Sequence, residues 1–373
     1  MTVVIGILGL SFLIFFHELG HFVIARAMGV TVEAFSIGMG PVLLHFRKGA
    51  TDYRLSLIPI GGYCSMKGEN EYRKALDEKS PCIEGSPDSF YGVHPLKRLF
   101  IAFAGPMFNM IFAFIAFSVV AMCGYSYTTA GTTVMLTGDV PEYSSLSSPA
   151  AEAGMKSGDR ILSIDGKPME DFSEILSYVA IEGSETMTVE VERSGEILSI
   201  PVKTELDKES GARRMGIVSM EDSRVTKTYG PFPFFPAIGE GFVQTFKTLS
   251  VTVKGIVRLF QGVDIRNAVS GPVRVTAMLG SSVKEGFSEG FKTGIVNALE
   301  LLALISISLF LTNLLPIPVL DGGLILFAFI EFIARRKMNP KLLYYIQLVG
   351  LFAVIGLVVL AVVGDIGYFI GKR

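Results

Sequence analysis

Three stretches of this chain, residues 99–122, 301–320 and 342–364, contain no Asp, Glu, Lys or Arg. About twenty apolar residues in a helix cross the roughly 30 Å hydrocarbon core of a bilayer, so each run is long enough to span one. A fourth run, residues 2–16, pauses at the polar His17-Glu18-Leu19-Gly20-His21 and resumes through Ala25. The pattern predicts transmembrane helices at about 2–25, 99–123, 296–330 and 342–365. The first lacks the basic flank of a signal peptide and continues past its polar motif, so it is read as a retained helix. Composition agrees: 50% of the 373 residues are hydrophobic and 18% charged, against about 25% charged in soluble domains. Thirty-three basic and 35 acidic residues leave a net charge of −2. That excludes an electropositive surface for nucleic acid. Cys64, Cys82 and Cys123 are widely spaced and form no CxxC pair, which argues against a disulfide framework or a thiolate metal site.

Ten Lys or Arg lie between Arg26 and Arg98, and Arg335, Arg336, Lys337 and Lys341 lie between the last two spans. The positive-inside rule assigns both segments to the cytoplasmic side. The connection from about 124 to 295 and both termini then fall on the other side. Within it, residues 132–205 alternate short β-type runs with turns, and Ser194-Gly195 joins two of them as a hairpin. A helix is predicted over Phe172–Ile181. Lys208–Thr228 reads as a polar linker. Residues 237–262 show an amphipathic pattern with Phe242, Phe246, Leu249, Val253, Ile256, Val257 and Phe260 on one face, opposite Lys247, Lys254 and Arg258. Such a helix suits a membrane surface or the face of a soluble domain.

On a helix, His17 and His21 share a face and can both bind one zinc ion, while Glu18 sits about 100° round, within reach of water beside it. A stray HExxH is usually a surface patch. Here it interrupts a transmembrane run, where an ionisable residue costs about 2.5–3.5 kcal/mol on insertion scales. A catalytic zinc commonly takes three protein ligands. The strongest candidate for the third is Asp321, the only carboxylate between Glu300 and Glu331, which follows a break at Pro316 and Pro318. An ordinary turn would explain Asp-Gly-Gly in a soluble protein, but not within a hydrophobic span. His17, His21 and Asp321 all lie toward the cytoplasmic ends of their spans. Asn109 in the second span suits either an interhelical hydrogen bond or an active-site contact, and the structural role is favoured.

With these residues the chain resembles the site-2 proteases, intramembrane zinc metalloproteases, and among them the bacterial RseP-type regulators of sigma-E-like pathways. HELGH in the first span and Asn313-Leu-Leu-Pro-Ile-Pro-Val-Leu-Asp321-Gly-Gly in the third carry the likeness. Phe35–Gly40, Leu57–Glu69, Ala104–Met110 and Ser270-Gly271-Pro272 match further signatures. Ser148–Pro168 resembles the PDZ domains of bacterial envelope proteases. Two departures stand out: one PDZ-like domain in place of two, and Met39 where the GxG element usually has an aromatic residue.

The resemblance implies His17, His21 and Asp321 as zinc ligands and Glu18 as catalytic base of a metalloendopeptidase. It also implies that Asn313, in the third span, helps hold the unwound substrate, and that Leu55–Met66 is a membrane-associated β-loop that pairs with it. Pro59, Gly61 and Gly62 are the expected substrate-binding positions of that loop. Tyr53–Ile60 is strand-like on its own residues, and Gly61-Gly62 permits a turn. A simple cytoplasmic hairpin is the other reading.

The expected fold is thus a polytopic α-helical membrane protein. It has four transmembrane helices, a membrane-associated β-loop and an inserted periplasmic PDZ-like α/β domain. The expected divisions are 1–130 and 293–373 for the halves of the protease core, 131–206 for the PDZ-like domain, and 207–292 for a linker with an amphipathic helix. The expected cofactor is Zn2+. The expected partners are the lipid bilayer and transmembrane protein substrates, such as trimmed anti-sigma factors or signal-peptide remnants, with no nucleic acid. The expected location is the bacterial inner membrane, with the active site toward the cytoplasm. A non-enzymatic PDZ scaffold with a structural metal is the alternative, though it gives Glu18 no task.

Overall fold

The computed structural model describes residues 2–143, 146–207, 212–220, 224–259 and 271–371. They fall into two compact units: Met1–Cys123 with Phe232–Leu249 and Ser270–Arg373, and Gly124–Pro231 with Ser250–Val269.

The first unit begins with α1 (Thr2–Ala27), an unbroken helix through the His17–His21 motif. A hairpin follows, formed by β1 (Val32–Lys48) and β2 (Thr51–Met66). Its turn lies at Gly49-Ala50, where Gly49 takes a φ of 65°. Gly61-Gly62, which permits a turn, lies inside β2. The reason is local: Gly38, Gly40 and Gly61 all have positive φ, which side-chain-bearing residues avoid, and they let the two strands shift register repeatedly without ending. After α2 (Glu69–Asp77) comes α3 (Pro95–Cys123).

The second unit opens with β3 (Tyr125–Ala130) and β4 (Val134–Leu136), followed by the single turn α4 (Pro149–Glu152). Next come β5 (Arg160–Ile164), β6 (Lys167–Pro168), α5 (Phe172–Ser177), β7 (Thr186–Arg193) and β8 (Glu196–Lys203). Its sheet has the order β6-β5-β7-β8, and the β7–β8 turn falls on Ser194-Gly195 as the alternation predicts. Residues 208–228, read from sequence as a polar linker, hold β10 (Arg213–Arg214), β11 (Ile217–Ser219) and most of β12 (Arg224–Tyr229), which follow β9 (Glu205–Leu206). These short strands pair within the unit: β9 with β10, β11 with β4, and β12 with β3. Their apolar residues are too few for a period to show, and the partners of β11 and β12 lie about 80 to 100 residues upstream. The β3–β12 pair brings Tyr125 opposite Tyr229. The core holds Ile161, Ile164, Ile175, Met187, Val189 and Val202, all 1% exposed or less. Lys227 closes it, pairing at 2.7 Å with the buried Asp171 that caps α5. Burial pushes the Asp171 carboxyl up, yet Lys227, Ser173 and the Glu174 N–H outweigh it and hold it below its ordinary range.

The chain then forms α6 (Phe234–Leu259), starting three residues before the amphipathic pattern predicts. Phe260 lies outside the described residues. Up to Leu249 this helix packs in the first unit, where Gly241 meets Ser118 of α3. A helix absent from the sequence reading follows, α7 (Pro272–Glu289). It lies close against α1: a Cβ on Gly6 would sit 2.0 Å from the Thr276 carbonyl oxygen, and one on Gly280 1.9 Å from that of Thr2. Its first turn is held by Asp365, whose carboxylate accepts from the N–H groups of Gly271, Val273 and Arg274 at 2.9–3.1 Å.

The predicted third span, 296–330, is two helices, α8 (Phe291–Asn313) and α9 (Asp321–Ala334). Pro316 and Pro318 lack the N–H groups that would continue the helix. At 14 residues, α9 is about 21 Å long and too short to span. The last helix is α10 (Pro340–Gly371). Four helices are long and apolar enough to cross a membrane: Thr2–Ala27, Pro95–Cys123, Phe291–Asn313 and Pro340–Ile366. Arg98 of α3 and Glu331 of α9, both buried, form an ion pair, and Glu331 also accepts from the Met338 N–H at 2.7 Å.

Candidate metal centre and active site

Two glycines bring α1 and α3 together. A Cβ on Gly20 would lie 2.4 Å from the Ala104 carbonyl oxygen, and one on Gly105 would lie 2.2 Å from His21 Nε2 and 2.7 Å from His17 Nε2. Bare backbone therefore faces both imidazoles, and no side chain at position 105 intrudes between them. Asp321 arrives from the other side as the first residue of α9. Gly322 and Gly323 follow because the preceding loop folds back on them. A Cβ at either would meet the Leu315 or Ile317 carbonyl oxygen at 2.2 or 2.5 Å.

The three side chains converge. His17 Nε2 lies 3.1 Å from Asp321 Oδ2, His21 Nε2 lies 3.3 Å from Asp321 Oδ1, and the two Nε2 atoms are 3.2 Å apart. A tetrahedral zinc with bonds of about 2.0–2.1 Å has ligands about 3.3 Å from each other. The donor set and its spacing fit that ion. Among the described residues this is the one group of three or more His, Cys, Asp or Glu side chains whose donors gather so closely. His21 is oriented by its other nitrogen, which donates to the Ile101 carbonyl of α3 at 2.8 Å.

Glu18 is half-buried on the neighbouring face of α1, beside β2. Its Cγ would be 3.6 Å from a Cβ on Gly62. The hairpin thus reaches the candidate base directly, a contact that sequence spacing does not reveal. Pro59 sits on the same strand, its carbonyl accepting from Ser11 of α1. Gly61 lies against Met39 of β1. Asn313, the last residue of α8, is half-buried, and among the described residues no hydrogen bond or ion pair joins it to the three ligands. Asn109 fits both of its readings, for its side chain joins α3 to α1 and does so at His17, with Nδ2 3.1 Å from Nδ1. The signal was the Gly105–Asn109 spacing of four, which mirrors that of His17 and His21.

Residues 5–357 match the model of peptidase family M50. The chain belongs to that family. A protein of Treponema pallidum described as a "Putative zinc metalloprotease" is 34% identical over 443 aligned residues, covering 96% of this chain and 97% of its own. One of Campylobacter jejuni with the same description is 33% identical, over 98% of this chain and 93% of its own. One of Clostridium perfringens is 30% identical over 98% of each. A PDZ domain of HtrA3 aligns with 29% of this chain and 93% of its own at 17% identity and a TM-score of 0.14. This M50 peptidase is accordingly an integral membrane protein and a zinc metalloprotease.

Proposed function

We infer that this M50 peptidase is an endopeptidase of the site-2 type, hydrolysing peptide bonds within or beside transmembrane segments of other membrane proteins. The observation that carries this is the meeting of His17 and His21, on a helix of membrane-spanning character, with Asp321 at the start of α9 at 3.1–3.3 Å, and Glu18 one position from His17. When bound there, zinc supplies Lewis acidity, activating water and polarising the scissile carbonyl. Glu18 accepts the proton that water gives up on attacking the carbonyl carbon, and delivers it to the amine nitrogen as the C–N bond breaks. Three ligands among the described residues leave a position open for reactants, as catalytic rather than structural zinc sites do. That weighs against a scaffold with a closed metal site.

A helical substrate must unwind, and its freed backbone groups need partners in the membrane. The β2 edge around Pro59, Gly61 and Gly62 can offer them by strand addition, with Asn313 at the end of α8 adding a polar side chain. The basic segments support a cytoplasmic placement for the hairpin and the zinc, in a bacterial inner membrane, and a periplasmic one for Gly124–Pro231. Suitable substrates are trimmed anti-sigma factors and signal-peptide remnants. The second unit, PDZ-like in sequence, is read as a filter on which substrates approach. A groove of about 1200 Å³ beside β11, lined by Phe172, Ile175, Leu176, Val179, Ile217 and Val218, supports peptide docking as a second reading of that filter.

The test is cleavage of a transmembrane reporter by purified protein in lipid, with and without a zinc chelator. Cleavage abolished by chelation and restored by zinc is expected. Chelator-insensitive cleavage overturns the metalloprotease reading.

A further inference from the structure

A histidine that ligates through Nε2 carries its proton on Nδ1, and that N–H almost always donates to a fixed acceptor. His21 meets the rule through the Ile101 carbonyl. For His17 the group placed to serve is Asn109, whose amide is 3.1 Å from Nδ1. Ile101, Gly105 and Asn109 succeed one another at intervals of four along one face of α3. One stripe of that helix thus addresses both ligands: a carbonyl for His21, an amide for His17, and a bare glycine between them where the Nε2 atoms point. Asn109 is completely buried. Its backbone carbonyl accepts from the buried Ser306 hydroxyl of α8 at 2.7 Å, which ties its position to a third helix.

The direction of the amide decides what it does. With Nδ2 toward Nδ1, the amide would donate to a bare nitrogen, the imidazole proton would sit on Nε2, and His17 would be unable to bind a metal there. In that orientation Asn109 Oδ1 is also buried with no hydrogen-bond partner among the described residues. The two ends of a carboxamide are nearly the same size, and turning it over sets Oδ1 to accept from His17 Nδ1–H. We propose that Asn109 is a positioning residue for the metal centre, its carboxamide oxygen holding His17 in the tautomer that leaves Nε2 free for zinc. This rests on the zinc reading of the site and adds a residue to it. Asn109 acts only through His17 and touches no reacting atom.

The test uses the full-length protein in detergent or lipid and reads zinc retention rather than turnover. Asn109→Leu keeps the bulk and removes the acceptor. It should weaken zinc binding about 10–100-fold, measured by competition with a chromogenic chelator. Asn109→Asp restores an acceptor and should hold zinc within a few-fold of the wild-type protein, although a buried carboxylate is the worse choice for helix packing. If Asn109→Leu retains zinc like wild type, or Asn109→Asp loses it as fully as Leu, the proposal fails. The chain's four histidines also permit a measurement without a variant at Asn109. In 15N-histidine-labelled, zinc-loaded protein, the resonance assigned to His17 by its loss in His17→Ala should show a protonated Nδ1, and a bare Nδ1 overturns the proposal. His17→Ala separates the two readings: if it keeps zinc, the metal site itself is misassigned. If it loses zinc while Asn109→Leu does not, only the role of Asn109 falls.

Discussion

His17, Glu18 and His21 occupy one turn of one helix, yet they do different work because different neighbours surround them. The histidines face the bare backbone of α3 and the Asp321 carboxylate, whereas Glu18 packs by Gly62 of the β2 strand. Glu18→Gln preserves shape and removes the proton acceptor. Zinc content measured on the purified variant should stay near that of wild type while reporter cleavage drops by at least about 100-fold, the lower bound for general-base catalysis. Loss of zinc along with activity would make Glu18 a ligand. Asp321→Asn should lose both, because a neutral amide is a far poorer zinc ligand than a carboxylate. An Asp321→Asn protein that keeps stoichiometric zinc and full cleavage would remove Asp321 from the centre.

Elements reach the site through small residues. Gly20 and Gly105 set the spacing of α1 and α3, and Gly322 and Gly323 allow α9 to start against the loop that delivers Asp321. A methyl group at Gly105 would collide with both Nε2 atoms. Gly105→Ala should therefore empty the metal site while the helices still assemble. The check is zinc content alongside far-ultraviolet circular dichroism, and a zinc-replete, active Gly105→Ala protein would contradict the packing described. At this scale the sequence was partly legible. HELGH announces itself because a helix fixes the spacing of its own side chains. The break at Pro316 and Pro318 was equally legible, since proline removes a donor wherever it stands. α7 was not. Its contact with α1 depends on Gly6 and Gly280, and its first turn on Asp365 of α10, residues ordinary in themselves and far apart along the chain. The place of the hairpin turn was not legible for a related reason. Gly61-Gly62 and Gly49-Ala50 both permit reversal, and only the partner strand determines which one reverses.

At the scale of the whole chain, the second unit is closed at its base by pairing of β3 with β12, so its two ends leave side by side. That geometry suits excision at residues 125 and 229 rather than at 132 and 205, which would cut through its paired strands. Replacing 126–228 by a short Gly-Ser linker should leave zinc content and cleavage of a short, pre-trimmed substrate nearly unchanged. It should newly permit cleavage of the same substrate with its full ectodomain, read by gel mobility. If the short substrate is no longer cleaved by a zinc-replete protein, the second unit is a docking site rather than a filter.

By itself the sequence determined the membrane character, the HExxH helix, Asp321 as the third ligand candidate and the β7–β8 hairpin. Each follows from local rules: hydrocarbon length, helical periodicity, a carboxylate isolated in an apolar run, and alternation about a turn. Tertiary structure alone decided that β2 meets Glu18, that Asn109 meets His17, that the stretch read as linker returns as strands of the second unit, and that α7 lies against α1. Most of those contacts join residues far apart along the chain. They depend on which backbones come close enough to touch, a property of pairs of elements that neither element carries alone.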